Sequence, residues 1–224
     1  ALSIIILGLF DDVFRVSWKL KVFVQLFVGG LIFSKIYSQL PLIEMFGFIL
    51  DWHPLIIGFV FMIWFMGIVN SVNLIDGMDG LAGGAFFIIS IGAIYIGWLN
   101  SNTSFMLYYS ILIGSLVGFL FFNGRPAKFF MGDSGSLFLG FSLAVMPLFF
   151  FETHSYRPPT LYMTPFALIA AFFLIDTLRV FYIRILDKRN PLTPDRNHLH
   201  HHLFDSTHSY NMTLFIIYGI ILIS

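Results

Sequence analysis

The sequence predicts an all-α, polytopic transmembrane helical bundle with about eight membrane segments. Of its 224 residues, 58% are hydrophobic and only 11% are charged. Long uncharged runs approach the ~20 residues that a helix needs to cross a bilayer, and the polar residues are concentrated between those runs. The chain contains no Cys, which excludes disulfides and thiolate chemistry, and its zero net charge gives no argument for binding nucleic acid.

The apolar runs predict the membrane segments in chain order. These are 2–10, 22–37, 55–69, 85–99, 105–122, 137–151, 161–185 and a last segment that begins at Met212. The stretch 42–50 is too short to span and is expected at the membrane interface. Because the chain begins and ends within apolar runs, we expect a single integral-membrane domain, 1–224, that is truncated at both ends.

Counting the crossings places the motif-bearing loops on one face of the membrane. The loops 11–21, 70–84, 123–136 and 186–211 all fall on that side. Ten of the twelve Lys and Arg residues lie on or next to the same side, and Lys35 and Arg157 belong to the other. Positive residues favour the cytoplasmic side of membrane proteins, so the polar loops are expected to form one site at the cytoplasmic surface.

The polar island 122–140, FNGRPAKFFMGDSGSLFLG, contains a carboxylate among small residues. Glycines around Asp133 leave room for a metal ion and for phosphate oxygens near the backbone, and Arg125 and Lys128 supply positive charge for the same anion. Two alternatives remain. One is a polar turn between helices, and the other is the serine environment of trypsin-like proteases, which the absence of disulfides and the apolar composition disfavour.

A second island, NSVNLIDGMDGLAGG, spaces four oxygen-bearing side chains three residues apart. They are Asn70, Asn73, Asp76 and Asp79. Residues three apart lie near one face of a helix, and an oxygen-rich face suits a hard cation such as Mg²⁺. The alternative is a glycine-rich turn in which these side chains satisfy the backbone.

Acidic and basic residues also surround the end of the first segment. Asp11 and Asp12 are candidates for a general base or an indirect metal contact, and the alternative is a solvated helix end. Lys19 and Lys21 suit phosphate or lipid headgroups, although ordinary anchoring at the membrane surface explains them equally well.

The last polar loop combines an arginine with four histidines within five positions. These residues are Arg196, His198, His200, His201 and His202. Arginine and imidazole groups can hydrogen-bond a pyrophosphate or a sugar. The alternatives are a zinc site, which lacks neighbouring thiols here, and a structural basic loop.

An acid also lies inside a predicted membrane segment. Ionisable residues within a membrane helix are functional candidates by default. Asp176 is such a residue, but a local ion pair with Arg179, three positions later, is an equally good interpretation.

Together, GLFDDVFRVSWKLK, NSVNLIDGMDGLAGG, FNGRPAKFFMGDSGSLFLG and NPLTPDRNHLHHH resemble the polyprenyl-phosphate N-acetylhexosamine-1-phosphate transferases of glycosyltransferase family 4. The resemblance covers nearly the whole chain, and the histidine pattern is similar to the branch that uses UDP-N-acetylglucosamine. It implies transfer of a sugar-1-phosphate to undecaprenyl phosphate at the bacterial inner membrane, with release of UMP. The muramoyl-pentapeptide branch, a transporter and a non-catalytic scaffold are the alternatives.

The resemblance also implies roles for individual residues and a cofactor. Mg²⁺, with Mn²⁺ as a substitute, is expected on Asn73 and Asp133. Asp11 or Asp12 is expected to activate the acceptor phosphate, with Asp133 as the third catalytic residue. A homodimer is a further expectation. The expected substrate-binding residues are Lys21, Asn70, Asp76, Asp79, Lys128, Arg196, His198, His200 and His201.

Overall fold

The computed structural model describes residues 1–36, 42–151, 160–188 and 197–224, and within these ranges it is predominantly helical. This confirms the predicted class, a helical membrane protein. The helices are α1 (Leu2–Phe14), α2 (Trp18–Ile36), α3 (Pro54–Ile75), α4 (Leu81–Leu99), α5 (Thr103–Asn123), α6 (Gly132–Ala144), α7 (Met146–Phe151), α8 (Thr164–Leu186), α9 (Leu199–Thr207) and α10 (Tyr210–Ile223).

Four of the described helices are long and apolar enough to cross a membrane. They are α3, α4, α5 and α8, with mean hydropathies between 1.8 and 2.3. The helix α10 is apolar but shorter. The sequence predicts about eight membrane crossings for this chain, and this number therefore stays a prediction.

The helix α3 extends beyond the apolar run that predicted it and carries part of the second polar island. It starts at Pro54, whose missing N–H costs nothing in the first helical turn, and the His53 side chain accepts a hydrogen bond from the Leu55 amide at 3.3 Å. It ends at Ile75, so that Asn70 and Asn73 lie on its last two turns, whereas Asp76 follows as the terminal cap.

The predicted segment 137–151 is two helices in the structure. The first, α6, already starts at Gly132 and ends at Ala144, and the second, α7, starts at Met146. Pro147 explains the break, because proline cannot donate the helical hydrogen bond and its ring clashes with the preceding turn. As a consequence, Asp133 lies in the first turn of a helix rather than in a loop.

The stretch expected at the membrane interface forms a small sheet. Strand β1 (Leu42–Met45) pairs antiparallel with β2 (Phe48–Leu50) and parallel with β3 (Thr160–Tyr162), in the order β2-β1-β3. The hairpin turn at 46–47 has positive φ angles, which the glycine of Phe46-Gly47 accommodates readily. The chain is therefore not purely α-helical, although the sheet is a minor part of it.

The helix α3 forms the centre of the packing and contacts α2, α6 and α8. Its buried face contributes Phe65, Ile68, Val69 and Val72 to the core. The helix α6 approaches closely at Gly140, where an added Cβ would lie 2.8 Å from the Val69 Cα. Small residues allow such close contacts between helices in membranes. This packing brings the start of α6 beside the end of α3.

Candidate active site

A lysine joins two carboxylates from different parts of the chain. The Lys21 ammonium, at the start of α2, lies 2.8 Å from Asp133 Oδ2 and also contacts Asp11 Oδ2. The side chains of Lys21, Asp11 and Asp133 are 23%, 12% and 28% exposed, so the cluster remains open to solvent. The structure thus brings together three residues, of which Asp11 and Asp133 lie 122 positions apart in the sequence. The count of membrane crossings predicts that their loops lie on the same face.

Asp12 binds the first turn of α6 through the backbone. Its carboxylate accepts hydrogen bonds from the amides of Asp133 at 2.7 Å and Ser134 at 3.2 Å. A carboxylate at a helix N-terminus satisfies free N–H groups and complements the helix dipole. Gly132 has a φ of 65°, and a Cβ there would lie 2.8 Å from Asp12 Oδ2, so this turn requires glycine. Asp12 thereby positions Asp133.

Asn73 is on the other wall of a polar cavity. Its amide donates to Ser136 Oγ at 2.8 Å, and the Ser136 hydroxyl donates to the Gly132 carbonyl at 2.9 Å. The cavity has a volume of about 270 Å³. Its lining comprises Asn73, Asp76, Gly77, Met78, Asp79, Asn123, Phe130, Met131, Gly132, Asp133 and Ser136.

Asn70, a predicted substrate-binding residue, is engaged inside the helix bundle. It forms reciprocal amide hydrogen bonds with Gln25, at 2.7 and 3.2 Å. Gln25 is fully buried and lies one helical turn after Lys21, and Asn70 lies one turn before Asn73. The pair fixes α2 against α3 at the level of the site. The sequence analysis missed Gln25, although a polar residue inside an apolar segment is a usable signal.

The turn between α3 and α4 is held to the loop that follows α5. Asp79 Oδ2 accepts from the Ala127 amide at 3.2 Å, and the Tyr210 hydroxyl donates to the Asp79 carbonyl at 2.9 Å. Asn123 accepts from the Gly80 amide and donates to the Phe129 carbonyl, both at 2.8 Å. The sequence analysis gave no role to Asn123 or Tyr210, yet both shape this wall of the cavity.

The electrostatics of the cavity favour cations. Burial, and then the negative charge of Asp133, raise the pKa of Asp76 to about 6. Burial and the hydrogen bond with Asp11 also raise the pKa of Asp133, against the opposing effects of Lys21 and Asn73. A raised carboxyl pKa means that burial, and at Asp76 also the neighbouring negative charge, disfavours the ionised form. A cation in the cavity would lower the pKa of both groups.

The histidine segment is a helix rather than a loop, and it lies behind the cavity. His198 and His200, at the start of α9, are 4% and 2% exposed. Burial, followed by the charges of His201 and His198, lowers the pKa of His200 to about 4, so its imidazole is neutral at pH 7. His201 is half-buried with its ring centroid 4.1 Å from that of His200. Arg196 lies outside the described residues.

Within the described residues, no side-chain contact joins Lys128 to the cluster of Asp11, Lys21 and Asp133. It is exposed on the loop between α5 and α6, and its backbone amide donates to the Phe122 carbonyl at 2.8 Å. Its contribution to substrate binding stays a prediction.

The residues present suit a hard divalent cation held by few protein ligands. Within the described ranges, three or more His, Asp or Glu side chains do not converge as a ready-made metal centre. Mg²⁺ is commonly bound through one or two carboxylates, with water and substrate phosphates completing its shell. The Asp133 carboxylate and the Asn73 amide offer oxygen atoms of the kind that Mg²⁺ prefers, and Asp133 already contacts one cation, the Lys21 ammonium.

The fold and the site together define a multi-pass helical membrane protein with an acidic, cation-attracting cavity at one end of the helix bundle. Residues 1–151 match the family described as glycosyl transferase family 4. The match covers about two thirds of the chain, and the chain therefore belongs to this family, as its motifs predict.

The chain is also similar to curated proteins. It is 37% identical to a Bacillus subtilis protein described as a probable undecaprenyl-phosphate N-acetylglucosaminyl 1-phosphate transferase, over 97% of this chain and 60% of that protein. It is 30% identical to the Escherichia coli K12 undecaprenyl-phosphate alpha-N-acetylglucosaminyl 1-phosphate transferase, over 88% of this chain and 54% of that protein.

A third relative comes from the muramoyl branch. The chain is 37% identical to a phospho-N-acetylmuramoyl-pentapeptide-transferase of Levilactobacillus brevis, over 63% of this chain and 47% of that protein. The chain thus spans roughly half of the length of the relatives that it matches.

Proposed function

We propose that the intact protein transfers N-acetylglucosamine-1-phosphate, or that of a related N-acetylhexosamine, from its UDP-sugar to undecaprenyl phosphate. The observation that carries the proposal is that Lys21 and Asp11 meet at Asp133, which together with Asn73 lines one polar cavity at an end of the helix bundle. The names of the Bacillus subtilis and Escherichia coli relatives support the same reaction.

In the proposed reaction, an oxygen of the lipid phosphate attacks the β-phosphorus of the UDP-sugar. The bond from that phosphorus to the oxygen that bridges it to the α-phosphorus breaks, and UMP leaves with the electron pair. The products are a lipid pyrophosphate sugar and UMP. Phosphoryl transfer of this kind depends on positioning and on the stabilisation of negative charge rather than on covalent chemistry by the protein.

The acidic cluster suits the acceptor side of this reaction. Lys21 can contact the lipid phosphate as well as the carboxylates, since an ammonium group has three donors. Both Asp12 oxygens accept backbone hydrogen bonds, whereas Asp11 is part of the Lys21 contact. This difference favours Asp11 over Asp12 as the residue that accepts a proton from, or orients, the acceptor phosphate.

The cavity suits the donor side. Asp133 and Asn73 would hold Mg²⁺, which when bound neutralises charge on the pyrophosphate and on the departing UMP. Asp76 and Asp79 line the same cavity and would bind the nucleotide side of the donor. Arg196 and His201 would hold the sugar and the pyrophosphate, whereas the buried His198 and His200 would support the cavity wall at Gly77 from behind.

We place this site at the cytoplasmic surface of the bacterial inner membrane. The proposal rests on the distribution of Lys and Arg, ten of twelve of which belong to the face with the acidic cluster. The lipid pyrophosphate sugar would start a cell-envelope polysaccharide such as a lipopolysaccharide. A homodimer is also part of the proposal.

The second candidate is the muramoyl-pentapeptide phosphotransferase reaction, which the similarity to the Levilactobacillus brevis protein favours. The two reactions share the acceptor and the leaving group and differ in the sugar. A comparison of donors therefore separates them.

The test is UMP release by membranes that contain the intact protein, with undecaprenyl phosphate as acceptor. The donors are UDP-N-acetylglucosamine, UDP-N-acetylgalactosamine and UDP-N-acetylmuramoyl-pentapeptide. Membranes with equal amounts of an Asp133→Ala variant provide the background. Acceptor-dependent release with UDP-N-acetylglucosamine supports the proposal, whereas release with the pentapeptide donor alone would establish the second candidate. Absence of release with all three donors would contradict both.

A further inference from the structure

The proposed function gives no role to Asp176, a buried acid in the middle of α8. Its side chain is 2% exposed, and α8 is one of the described helices that can cross a membrane. An ionised carboxylate is costly in such a place unless hydrogen bonds and opposite charge compensate it. The residues around Asp176 supply that compensation.

Asp176 connects α8 to the start of α9 through two direct contacts. Its Oδ2 lies 2.9 Å from His198 Nδ1, and its Oδ1 accepts from the Leu199 amide at 2.9 Å. Arg179 Nη2 donates to the same Oδ1 at 3.0 Å and also to the Asn197 carbonyl. The local pair with Arg179 thus exists, but it is only one part of a network that holds the histidine segment.

The network dictates which nitrogen of His198 carries a proton. An ionised carboxylate only accepts hydrogen bonds, so His198 must donate from Nδ1. In the neutral ring, Nε2 is then left with a free lone pair, and this atom has no hydrogen-bond partner among the described residues. An aspartate that orients a histidine and selects its tautomer is a recurring arrangement in enzyme and metal sites.

His198 contacts the wall of the cavity indirectly, through His200. The rings of His198 and His200 are stacked, with centroids 6.0 Å apart and planes inclined by 8°. His200 in turn packs against Gly77, where an added Cβ would lie 2.6 Å from His200 Nε2. Gly77 lies between Asp76 and Asp79 and lines the cavity. One continuous set of contacts therefore joins Asp176 to this turn.

We propose that Asp176 is a positioning residue for donor binding: it fixes His198 with the proton on Nδ1 and, through the His198–His200 stack, supports the Gly77 turn. This role rests on the proposed function, in which that turn binds the nucleotide side of the donor. Asp176 contacts neither substrate and acts through His198 and His200. Its loss should therefore weaken use of the UDP-sugar and leave use of the lipid acceptor intact.

Replacement by asparagine makes a specific change in this network. Oδ1 of Asp176 serves two donors, Leu199 and Arg179, so the asparagine oxygen should remain there. The asparagine NH₂ would then face His198, whose Nδ1 must become an acceptor. Asp176→Asn should thus transfer the ring proton of His198 from Nδ1 to Nε2 without a change in size.

The tautomer is measured by ¹⁵N NMR of the intact protein with ¹⁵N-labelled histidine, in the absence of substrates. The His198 signals are identified by their loss in His198→Asn, which keeps a donor toward Asp176 but lacks the ring. We expect Nδ1 protonated and Nε2 unprotonated in the wild type, and the reverse in Asp176→Asn. Any other protonation pattern in the wild type, or an unchanged pattern in the variant, would overturn the assignment.

Steady-state kinetics test the consequence for the substrates. Asp176→Asn and His198→Asn should each raise KM for the UDP-sugar by about tenfold or more, the loss expected for one charge-assisted hydrogen bond. KM for undecaprenyl phosphate should stay within about twofold. Thr177→Val is the control, because the buried Thr177 hydroxyl on the same helix has no partner among the described residues.

The outcomes separate the two proposals. Equal changes in both KM values, or a similar loss in Thr177→Val, would make Asp176 a general folding residue and overturn its positioning role. If Asp176→Asn fails to fold, His198→Asn alone decides, because an unchanged donor KM in that variant would refute the stack. A protein that uses none of the UDP-sugars would contradict the proposed function, and the NMR measurement would still test the tautomer.

Discussion

Removal of the Lys21 ammonium should weaken catalysis and move its pH dependence. Lys21 contacts Asp133 at 2.8 Å and also contacts Asp11, and all three side chains are partly exposed. A charge-assisted hydrogen bond contributes about 1.5–3 kcal/mol, and an exposed ion pair contributes about 0–1 kcal/mol. Partial exposure puts each contact at about 1 kcal/mol. Loss of both contacts in Lys21→Met should therefore remove about 2 kcal/mol of interaction, which corresponds to about thirtyfold in rate when all of it is expressed in the transition state.

The direction of the pH effect follows from the charges. Lys21 lowers the pKa of Asp133, so its removal raises that pKa further. As the pH is lowered, a reaction that requires ionised Asp133 should then begin to lose activity at a higher pH than in the wild type. The acidic limb of the rate profile should therefore move to higher pH in Lys21→Met.

The assay is UMP release as a function of pH, with wild type, Lys21→Met, Lys21→Arg and Lys19→Met in equal amounts. Lys21→Arg keeps the charge and should lose less than about fivefold. Lys19 is exposed, with its ammonium 5.9 Å above the Trp18 ring, and its replacement should change the rate by less than about twofold. An unmoved acidic limb in Lys21→Met, or an equal loss in Lys19→Met, would refute the reasoning.

Two further predictions concern stability and topology. The folded protein binds a proton on Asp76 more tightly than the unfolded chain, so its stability should fall as pH rises from the ordinary carboxyl pKa to about 6. Asp76→Asn should remove this loss and raise the Tm of the purified protein at pH 7.5 by an amount that shrinks at pH 4.5; an equal change at both pH values would contradict the raised pKa. Single Cys substitutions of Asp133 and Asp51 in this Cys-free chain should react oppositely with an impermeant thiol reagent added to intact cells. Position 51 should be labelled and position 133 protected, and the reverse would invert the proposed orientation.

The convergence of Asp11, Asn73 and Asp133 could be predicted because it depends on whether an odd or an even number of membrane crossings separates their loops. It does not depend on the details of side-chain packing. The crossings predicted from the apolar runs alternate the loops between two faces, and they put Asp11, Asn73 and Asp133 on the same one. The structure brings their segments together through Lys21 and Ser136. The sequence alone could not assign the contact of Asp12 with two amides of α6, because this contact depends on how α1 packs against that helix.

The boundaries of the elements were predicted less well, for identifiable reasons. Hydropathy ended the third segment at residue 69, but a helix continues through polar residues when they have partners, as Asn70 does with Gln25. Pro147 divides a run that looked continuous. The strands of 42–50 need a partner at Thr160–Tyr162, which is a non-local pairing that a local apolar pattern does not reveal.

The role of Asp133 as a ligand for Mg²⁺ is the central claim, and one substitution tests it most directly. Asp133→Asn keeps the size of the side chain and removes its negative charge, so the protein should insert into membranes normally. UMP release is titrated with Mg²⁺ and with Mn²⁺ in membranes that contain equal amounts of wild type, Asp133→Asn and Asp205→Asn. Asp205 is an exposed acid on α9 and controls for the change of acid to amide.

We predict that Asp133→Asn loses nearly all transfer at every concentration of either cation, while Asp205→Asn follows the wild type. Hard oxygen ligands at about 2.1 Å are required for Mg²⁺, and a neutral amide cannot replace the charge of the carboxylate. Near-normal turnover of Asp133→Asn, with the wild-type dependence on Mg²⁺, would contradict the claim and would make Asp76 or Asp79 the better candidate for the metal ligand.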